Sequence, residues 1–250
     1  MQTNILDWLE ATAARTPEGA AVGDAQQDYT WAQLADNARR AGSFLAGHTA
    51  PRCPVAFYLE KSAPVFAAML GTVYAGCCYS VLDTRQPAAR TQQVLNTLQP
   101  SLLITDRDHA DAAAALGCSC SVYLLEDLLT AAVQPSLLAA CRAQAVDVDP
   151  LYINFTSGST GVPKGVTVSH RSVLDFIPQF AEIFGITQND ILGNQAPFDF
   201  DVSVKDLYTA LYTGAKVQII PRAYFSQPTN LMDYLADHEV TILVWAVSAM

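Results

Sequence analysis

The sequence has 250 residues, of which 51% are hydrophobic and 15% are charged, so it can bury a substantial core in one large domain or two smaller ones. A formal net charge of −10 at pH 7 argues against nonspecific binding to nucleic acid. No apolar run reaches the roughly 18 to 20 residues that span a bilayer, and the amino terminus lacks the features of a signal peptide. We therefore expect a cytoplasmic protein without a membrane span.

The cysteines and histidines predict no metal site. None of the six cysteines are spaced as C-x-x-C, and the four histidines are scattered along the chain. Cys118 and Cys120 are separated by one residue, a spacing that a metal ion could use. In a reducing compartment, however, we expect these two and the other four cysteines to be thiols with a structural role.

The amino-terminal half alternates helices with short apolar runs. Strands are predicted at residues 20–23, 28–30, 55–59, 78–82 and 102–105. Apolar residues at helical spacing predict helices, the second of them capped by Thr30, over residues 5–15, 31–46, 62–74, 87–98 and 110–116.

The second half continues the same alternation. Residues 124–145 are helical in tendency, with a break at Pro135, and a later helix is expected to kink or divide at Pro178. Strands are predicted at residues 151–155, 166–168, 191–194, 216–220 and 240–245, and helices at 171–184, 202–212 and 229–237. This order predicts an α/β fold of layered, doubly wound, mainly parallel sheets flanked by helices. Ligands of such folds bind beyond the carboxyl ends of strands.

One stretch, residues 151–170, joins two β-prone runs through a loop rich in Thr, Ser and Gly. The loop offers hydroxyl groups, flexible glycines whose backbone N–H groups can converge, and one ammonium group, which together suit a polyphosphate. The residues are Thr156, Ser157, Gly158, Ser159, Thr160, Gly161, Lys164 and Gly165. The loop is not a Walker loop, because a glycine follows the lysine and a strand follows the loop. The alternative is a flexible surface loop, which such compositions often form.

The segment FTSGSTGVPKGV, residues 155–166, resembles the phosphate loop of the adenylate-forming enzymes. These comprise nonribosomal peptide synthetase adenylation domains, D-alanine–carrier-protein ligases, acyl-CoA synthetases and luciferases. Three other segments are similar to family segments, so the resemblance covers essentially the whole chain: YTWAQL at 29–34, AGCCYSVLD at 75–83 and NQAPFDFDVS at 194–203. The last of these is especially similar in context to the D-alanine-activating ligases.

The resemblance implies a ligase that works in two steps with ATP and Mg²⁺. The carboxylate of an amino acid attacks the α-phosphorus of MgATP, and the thiol of a carrier protein's phosphopantetheine arm then takes the acyl group. Residues 156–161 and Lys164 would hold the β and γ phosphates as pyrophosphate leaves. The first step needs neutralised phosphate charge and an aligned attacking oxygen.

Two residues, one within the fourth segment and one just beyond it, are implied to bind the substrate. In the amino-acid-activating branches the aspartate at Asp201 pairs with the α-ammonium group, and acyl-CoA synthetases generally lack it. The alternative is that Asp201 caps a helix beginning at Val202. Lys205, four residues on, suits an acidic substrate side chain in the peptide-synthetase pattern, but the D-alanine ligases usually have an apolar residue there. Both branches therefore stay open, as does an exposed Lys205 that pairs with Asp201.

Family members are about twice as long as this chain. We therefore expect residues 1–250 to be the amino-terminal portion of the large adenylation domain, without the small carboxyl-terminal domain and its catalytic lysine. The resemblance assigns no catalytic residue to this chain, which we expect not to complete adenylation alone. The alternatives are a fragment of an acyl-CoA synthetase and a noncatalytic nucleotide-binding or scaffold module.

Overall fold

The computed structural model describes residues 2–156 and 162–245. The first elements are α1 (Leu6–Arg15), β1 (Ala20–Gly23), β2 (Asp28–Thr30), α2 (Trp31–His48), β3 (Pro54–Tyr58), α3 (Ala63–Tyr74), β4 (Cys78–Leu82), α4 (Ala88–Leu98), β5 (Leu102–Thr105), α5 (Ala110–Ala115) and β6 (Ser121–Leu124). There follow α6 (Leu125–Thr130), α7 (Pro135–Gln144), β7 (Pro150–Thr156), β8 (Lys164–Ser169), α8 (His170–Phe184), β9 (Ile191–Asn194), α9 (Ser203–Thr213), β10 (Lys216–Ile219), a 3-10 helix (Arg222–Ser226), α10 (Pro228–Asp237) and β11 (Ile242–Leu243).

The strands form two sheets. A six-stranded sheet has the order β6-β5-β3-β4-β7-β8, and a five-stranded sheet has the order β11-β9-β10-β1-β2. All neighbours pair in parallel except β7 with β8 and β1 with β2. The expected α/β fold with mainly parallel sheets is thus confirmed.

Helices cover both faces of the six-stranded sheet, which explains why its inner strands β4 and β5 are buried at every position. On β3, Val55 and Phe57 enter the main core together with residues of the five-stranded sheet. Ala56 and Tyr58 face the other way and pack against α4 and α5. On the five-stranded sheet, Ile220 packs against α10. The result is a stack in which α1, α2, α3, α8 and α9 contribute to the core between the two sheets.

Several predicted elements need correction. The short strand β6 lies where no strand was predicted, because it is a four-residue edge strand whose residues, such as the exposed Val122, are not buried. The last predicted strand is reduced to β11, and α8 runs through Pro178 without division. The expectation of free thiols is wrong for Cys118, which forms a disulfide with Cys120.

None of the helices within the described residues is long and apolar enough to cross a membrane. The helix α2 begins at the predicted cap: the Thr30 hydroxyl accepts the Gln33 N–H at 3.3 Å, and the Gln33 side chain accepts the Thr30 N–H at 2.8 Å. Such a reciprocal pair satisfies two backbone donors that the first helical turn leaves unpaired.

The helices α2 and α3 pack closely through two glycines, Gly42 and Gly71. A Cβ atom on Gly71 would lie 2.5 Å from the Ala41 Cβ and 2.9 Å from the Gly42 nitrogen, so the helices would have to separate. Gly47, also on α2, has no atom within 4 Å of such a Cβ. Gly71 and Gly47 are both helical, but only Gly47 has room for a Cβ atom.

We expect Gly71→Ala to lower the free energy of unfolding by about 1 to 3 kcal/mol, because the added methyl group overpacks the contact. Gly47→Ala is the matched control and should raise stability by up to about 1 kcal/mol through helix propensity alone. Urea denaturation of both variants measures the difference. Equal effects of the two substitutions would contradict the close contact.

Candidate functional site

The loop singled out in the sequence closes a β-hairpin at the edge of the six-stranded sheet. The antiparallel register of β7 and β8 places Thr156 opposite Lys164 and Phe155 opposite Gly165. Thr156 and Lys164 are exposed, and the Arg90 side chain donates a hydrogen bond to the Thr156 carbonyl at 3.4 Å. The other predicted phosphate-binding residues lie outside the described residues: Ser157, Gly158, Ser159, Thr160 and Gly161.

Gly165 lies in a crowded position and does not adopt an unusual backbone conformation. Its φ is not positive, because it lies within the extended strand β8. A Cβ atom at this position would lie 3.0 Å from the Ile153 Cγ2 and 3.2 Å from the Phe155 Cζ. The expectation that Gly165 frees its N–H for a phosphate through glycine's conformational range is therefore corrected.

A cleft of about 400 Å³ separates the hairpin from the segment that precedes α9. The hairpin contributes Tyr152, Asn154 and Thr156 to its lining, and the facing segment contributes Asp199, Phe200 and Asp201. The structure thus brings two separately predicted site residues, Thr156 and Asp201, to one cavity. Lys164 and Lys205 are not among the described residues that line it.

Asp201 lies in an exposed turn and does not cap α9 with its side chain. The helix begins at Ser203, and its cap residue Val202 makes no side-chain capping bond. Only the backbone carbonyl of Asp201 takes part, accepting the N–H of Val204 at 3.2 Å. Its carboxylate faces Tyr152, whose pKa rises to about 12 because the ring is buried and the negative charge of Asp201 is near. Tyr152 therefore stays protonated and can donate a hydrogen bond into the cleft.

Lys205 points elsewhere. Its Nζ lies 6.0 Å from the centroid of the Phe180 ring on α8, at the distance of a weak cation–π contact. Because Asp201 precedes α9, the two residues do not share a helical face, and no ion pair joins them within the described part of the chain. The alternative of a Lys205–Asp201 pair is therefore wrong.

His170, which begins α8, has a structural role. It is buried, and the N–H of Ile5 donates to its Nδ1 at 3.4 Å. Burial lowers the pKa of His170 to about 4, so the imidazole is neutral at pH 7. It serves as an acceptor at the start of α1.

Asp199 is a site residue that the sequence reasoning missed. It lines the same cleft as Asp201, two residues along the segment. Burial and the nearby carboxylate of Asp83 raise the pKa of Asp199 to about 6. The sequence did contain a signal for Asp199, namely a second carboxylate within an otherwise apolar segment. A buried charge is costly without a partner, so a carboxylate in such a segment indicates a candidate site residue.

The described residues hold no metal-binding cluster. Nowhere in residues 2–156 and 162–245 do three His, Cys, Asp or Glu side chains come together in a suitable arrangement. No residue of this part of the chain is therefore assigned to Mg²⁺.

Comparison with known proteins gives a consistent result. The family described as "AMP-binding enzyme" matches residues 9–250. The D-alanine–D-alanyl carrier protein ligase of Staphylococcus aureus is 29% identical over 248 residues, which are 99% of this chain and 49% of that protein. The chain thus spans about half the length of the curated relatives it matches.

Two similar solved structures are those of the nonribosomal peptide synthetase FmoA3. The form with α-methyl-L-serine-AMP bound superimposes with a TM-score of 0.85 at 28% identity, covering 95% of this chain and 26% of that one. The AMPPNP-bound form gives a TM-score of 0.84 at 27% identity, covering 96% and 25%.

The layered parallel sheets, with a Ser/Thr/Gly-rich hairpin loop at their edge, define an adenylate-forming type of fold. The match over residues 9–250 makes the assignment specific: the chain belongs to the family of AMP-binding enzymes.

We expect Asp199→Asn to stabilise the protein at pH 7 and to leave stability unchanged at pH 4. The pKa is raised from 3.8 to about 6 on folding, so the wild type loses stability as the pH rises through this range, whereas Asn does not ionise. The difference at pH 7 is at most about 3 kcal/mol, at 1.36 kcal/mol per pKa unit. Denaturant titrations at both pH values measure it, and an equal loss of stability at both would contradict the assignment.

Proposed function

We propose that the protein containing this chain activates an amino acid with ATP as an aminoacyl-adenylate and transfers it to the phosphopantetheine thiol of a carrier protein. The observation that carries the proposal is the shared cleft, which Thr156 at the phosphate loop and Asp201 both line. A ligand with phosphates at one end and an ammonium group at the other would fit this pair of residues. The family match and the carrier protein ligases among the relatives support the same reading.

The phosphates of ATP are assigned to the hairpin loop. Residues 156–161 and Lys164 supply hydroxyl groups, backbone N–H groups and a positive charge, the donors that a pyrophosphate leaving group needs. The exposed positions of Thr156 and Lys164, opposite each other at the two ends of the loop, support this assignment. Mg²⁺ is expected to bind together with the phosphates. No cluster of the described residues is assigned as its ligands.

The amino acid is assigned to the facing segment. The carboxylate of Asp201 would pair with the α-ammonium group, because no side chain or N–H of the described residues already bonds to it. Lys205 does not line the cleft, so the choice between D-alanine and an acidic amino acid does not rest on it. A D-alanine–carrier-protein ligase and a peptide-synthetase adenylation domain both agree with this arrangement.

In the whole protein, Asp201→Ala should lower amino-acid-dependent ATP–pyrophosphate exchange by at least about a hundredfold, because the α-ammonium group loses its counterion. Asp201→Asn, which keeps the shape and removes the charge, should be nearly as inactive. The matched control is Asp175→Ala, an exposed carboxylate on α8 whose loss should leave exchange unchanged.

Exchange that survives in both Asp201 variants would contradict the ammonium assignment. Exchange stimulated by fatty acids and not by any amino acid would favour an acyl-CoA synthetase. In that case the family assignment stands and the substrate class is wrong.

A further inference from the structure

Lys61 is a half-buried lysine on the loop between β3 and α3, and its ammonium group reaches across to the end of β9. Nζ donates to the Asn194 carbonyl at 2.9 Å, the Asn194 Oδ1 at 3.0 Å and the Gln195 carbonyl at 2.8 Å, and it lies 3.4 Å from the Ala196 carbonyl. These contacts join the six-stranded sheet to the five-stranded sheet. They also bind three consecutive residues, 194–196, at the start of the segment that carries Asp199 and Asp201.

The network continues through Asn194 to a buried carboxylate. The Asn194 Nδ2 donates to the Asp206 Oδ2 at 2.9 Å, and both Asn194 and Asp206 are fully buried. Asp206 lies on α9, just beyond the same segment. The segment from 195 to 202 is therefore held at its beginning by Lys61 and anchored at its end by the helix that carries Asp206.

The geometry favours an ammonium group on Lys61. Every atom that faces Nζ in this network is an oxygen acceptor, and Asp206 accepts a hydrogen bond from the amide. Burial lowers the pKa of Lys61 and raises that of Asp206, while the attraction between the two charges opposes both shifts. Charged groups in a buried network of this kind are costly to desolvate. The network specifies one arrangement of the segment, because removal of the ammonium group leaves several oxygen acceptors unpaired.

We propose that Lys61 is a positioning residue that fixes the segment from residue 195 to residue 202 and so presents Asp201 to the cleft. Lys61 does not line the cleft between the hairpin and this segment, so it acts through the backbone it holds. The part of this inference that concerns the amino acid rests on the proposed function. The part that concerns the order of the segment does not.

The first experiment measures hydrogen–deuterium exchange in the protein that contains this chain. The segment has amides in defined turns, with the Phe200 N–H bonded to the Pro197 carbonyl at 3.1 Å and the Ser203 N–H to the Phe200 carbonyl at 3.0 Å. Lys61→Met keeps most of the apolar stem and removes the ammonium group. We expect it to raise exchange in residues 195–203 by about tenfold or more, and Lys61→Arg to raise it less.

The matched control is Lys216→Met. Lys216 is also largely buried and ion-paired, to Asp28 at 2.8 Å. It lies at the amino end of β10, whereas Lys61 contacts the carboxyl end of the neighbouring strand β9. This variant should leave exchange in residues 195–203 at the wild-type level. Unchanged exchange in Lys61→Met, or an equal increase in Lys216→Met, would overturn the proposal.

If Lys61→Met does not fold, Lys61→Gln takes its place, because its side chain stays polar but is uncharged and shorter than that of lysine. It must then raise exchange in residues 195–203 in the same way. Wild-type exchange in a folded Lys61→Gln variant would overturn the proposal.

The second experiment measures pyrophosphate exchange kinetics of the same variants. Lys61→Met should raise KM for the amino acid by about tenfold with a smaller change in kcat, and Lys61→Arg should restore most of the loss. A residue that only stabilises the fold would change the amount of active protein and leave KM unaltered. A wild-type KM in the folded Lys61→Met variant would overturn the proposal. If the unmutated protein shows no amino-acid-dependent pyrophosphate exchange at all, the proposed function is refuted. Hydrogen–deuterium exchange then remains the test of the role of Lys61.

Discussion

Antiparallel pairing of β8 with β7 is the constraint on which the candidate site depends. The inner strands of the six-stranded sheet run parallel, so each of them leads its chain away from the sheet at one edge. Among the described strands of the six-stranded sheet only β8 turns back along its predecessor, and this reversal fixes Thr156 and Lys164 on opposite sides of one loop. A side chain at Gly165 would crowd Ile153 and Phe155 on the paired strand, and both side chains would have to shift.

The second wall of the cleft depends on how the two sheets are tied together. Segments that follow strands of one sheet contact segments of the other: Lys61 binds the end of β9, and the Asp24 carboxylate, just after β1, accepts the Ala63 N–H at 2.8 Å at the start of α3. Both contacts lie where parallel strands end, which is where ligands bind in folds of this kind. Polar groups at these ends thus serve to position backbone as well as to line a site.

The sequence was most informative where the signal is local. The capped helix α2 and the apolar strand β3 could be predicted because capping residues and apolar runs are short-range patterns. The phosphate loop and Asp201 were predicted as site residues from contiguous segments too, through the resemblance of those segments to the adenylate-forming enzymes. The edge strand β6 was missed because it has only four residues, none of them buried, and leads directly into the helix α6.

Contacts between distant residues could not be predicted. The bond from Lys61 to Asn194 joins positions 133 residues apart, and nothing around Lys61 in the sequence specifies its partners. The pKa of Asp199 depends on burial and on Asp83, which belongs to another segment. Even so, polar residues directly after a buried strand, such as Glu60 and Lys61, are a usable signal in an α/β fold, because strand ends cluster at one edge.

The central claim is that the hairpin loop and Asp201 form the two ends of one site. A crystal structure of the whole protein with a hydrolysis-resistant aminoacyl-adenylate analogue tests it most directly. We expect the ammonium nitrogen within about 3 Å of an Asp201 carboxylate oxygen, with the phosphate or its isostere on the side of the cleft that Thr156 lines. An analogue bound outside this cleft, or one whose ammonium group is paired with a different carboxylate, would contradict the claim.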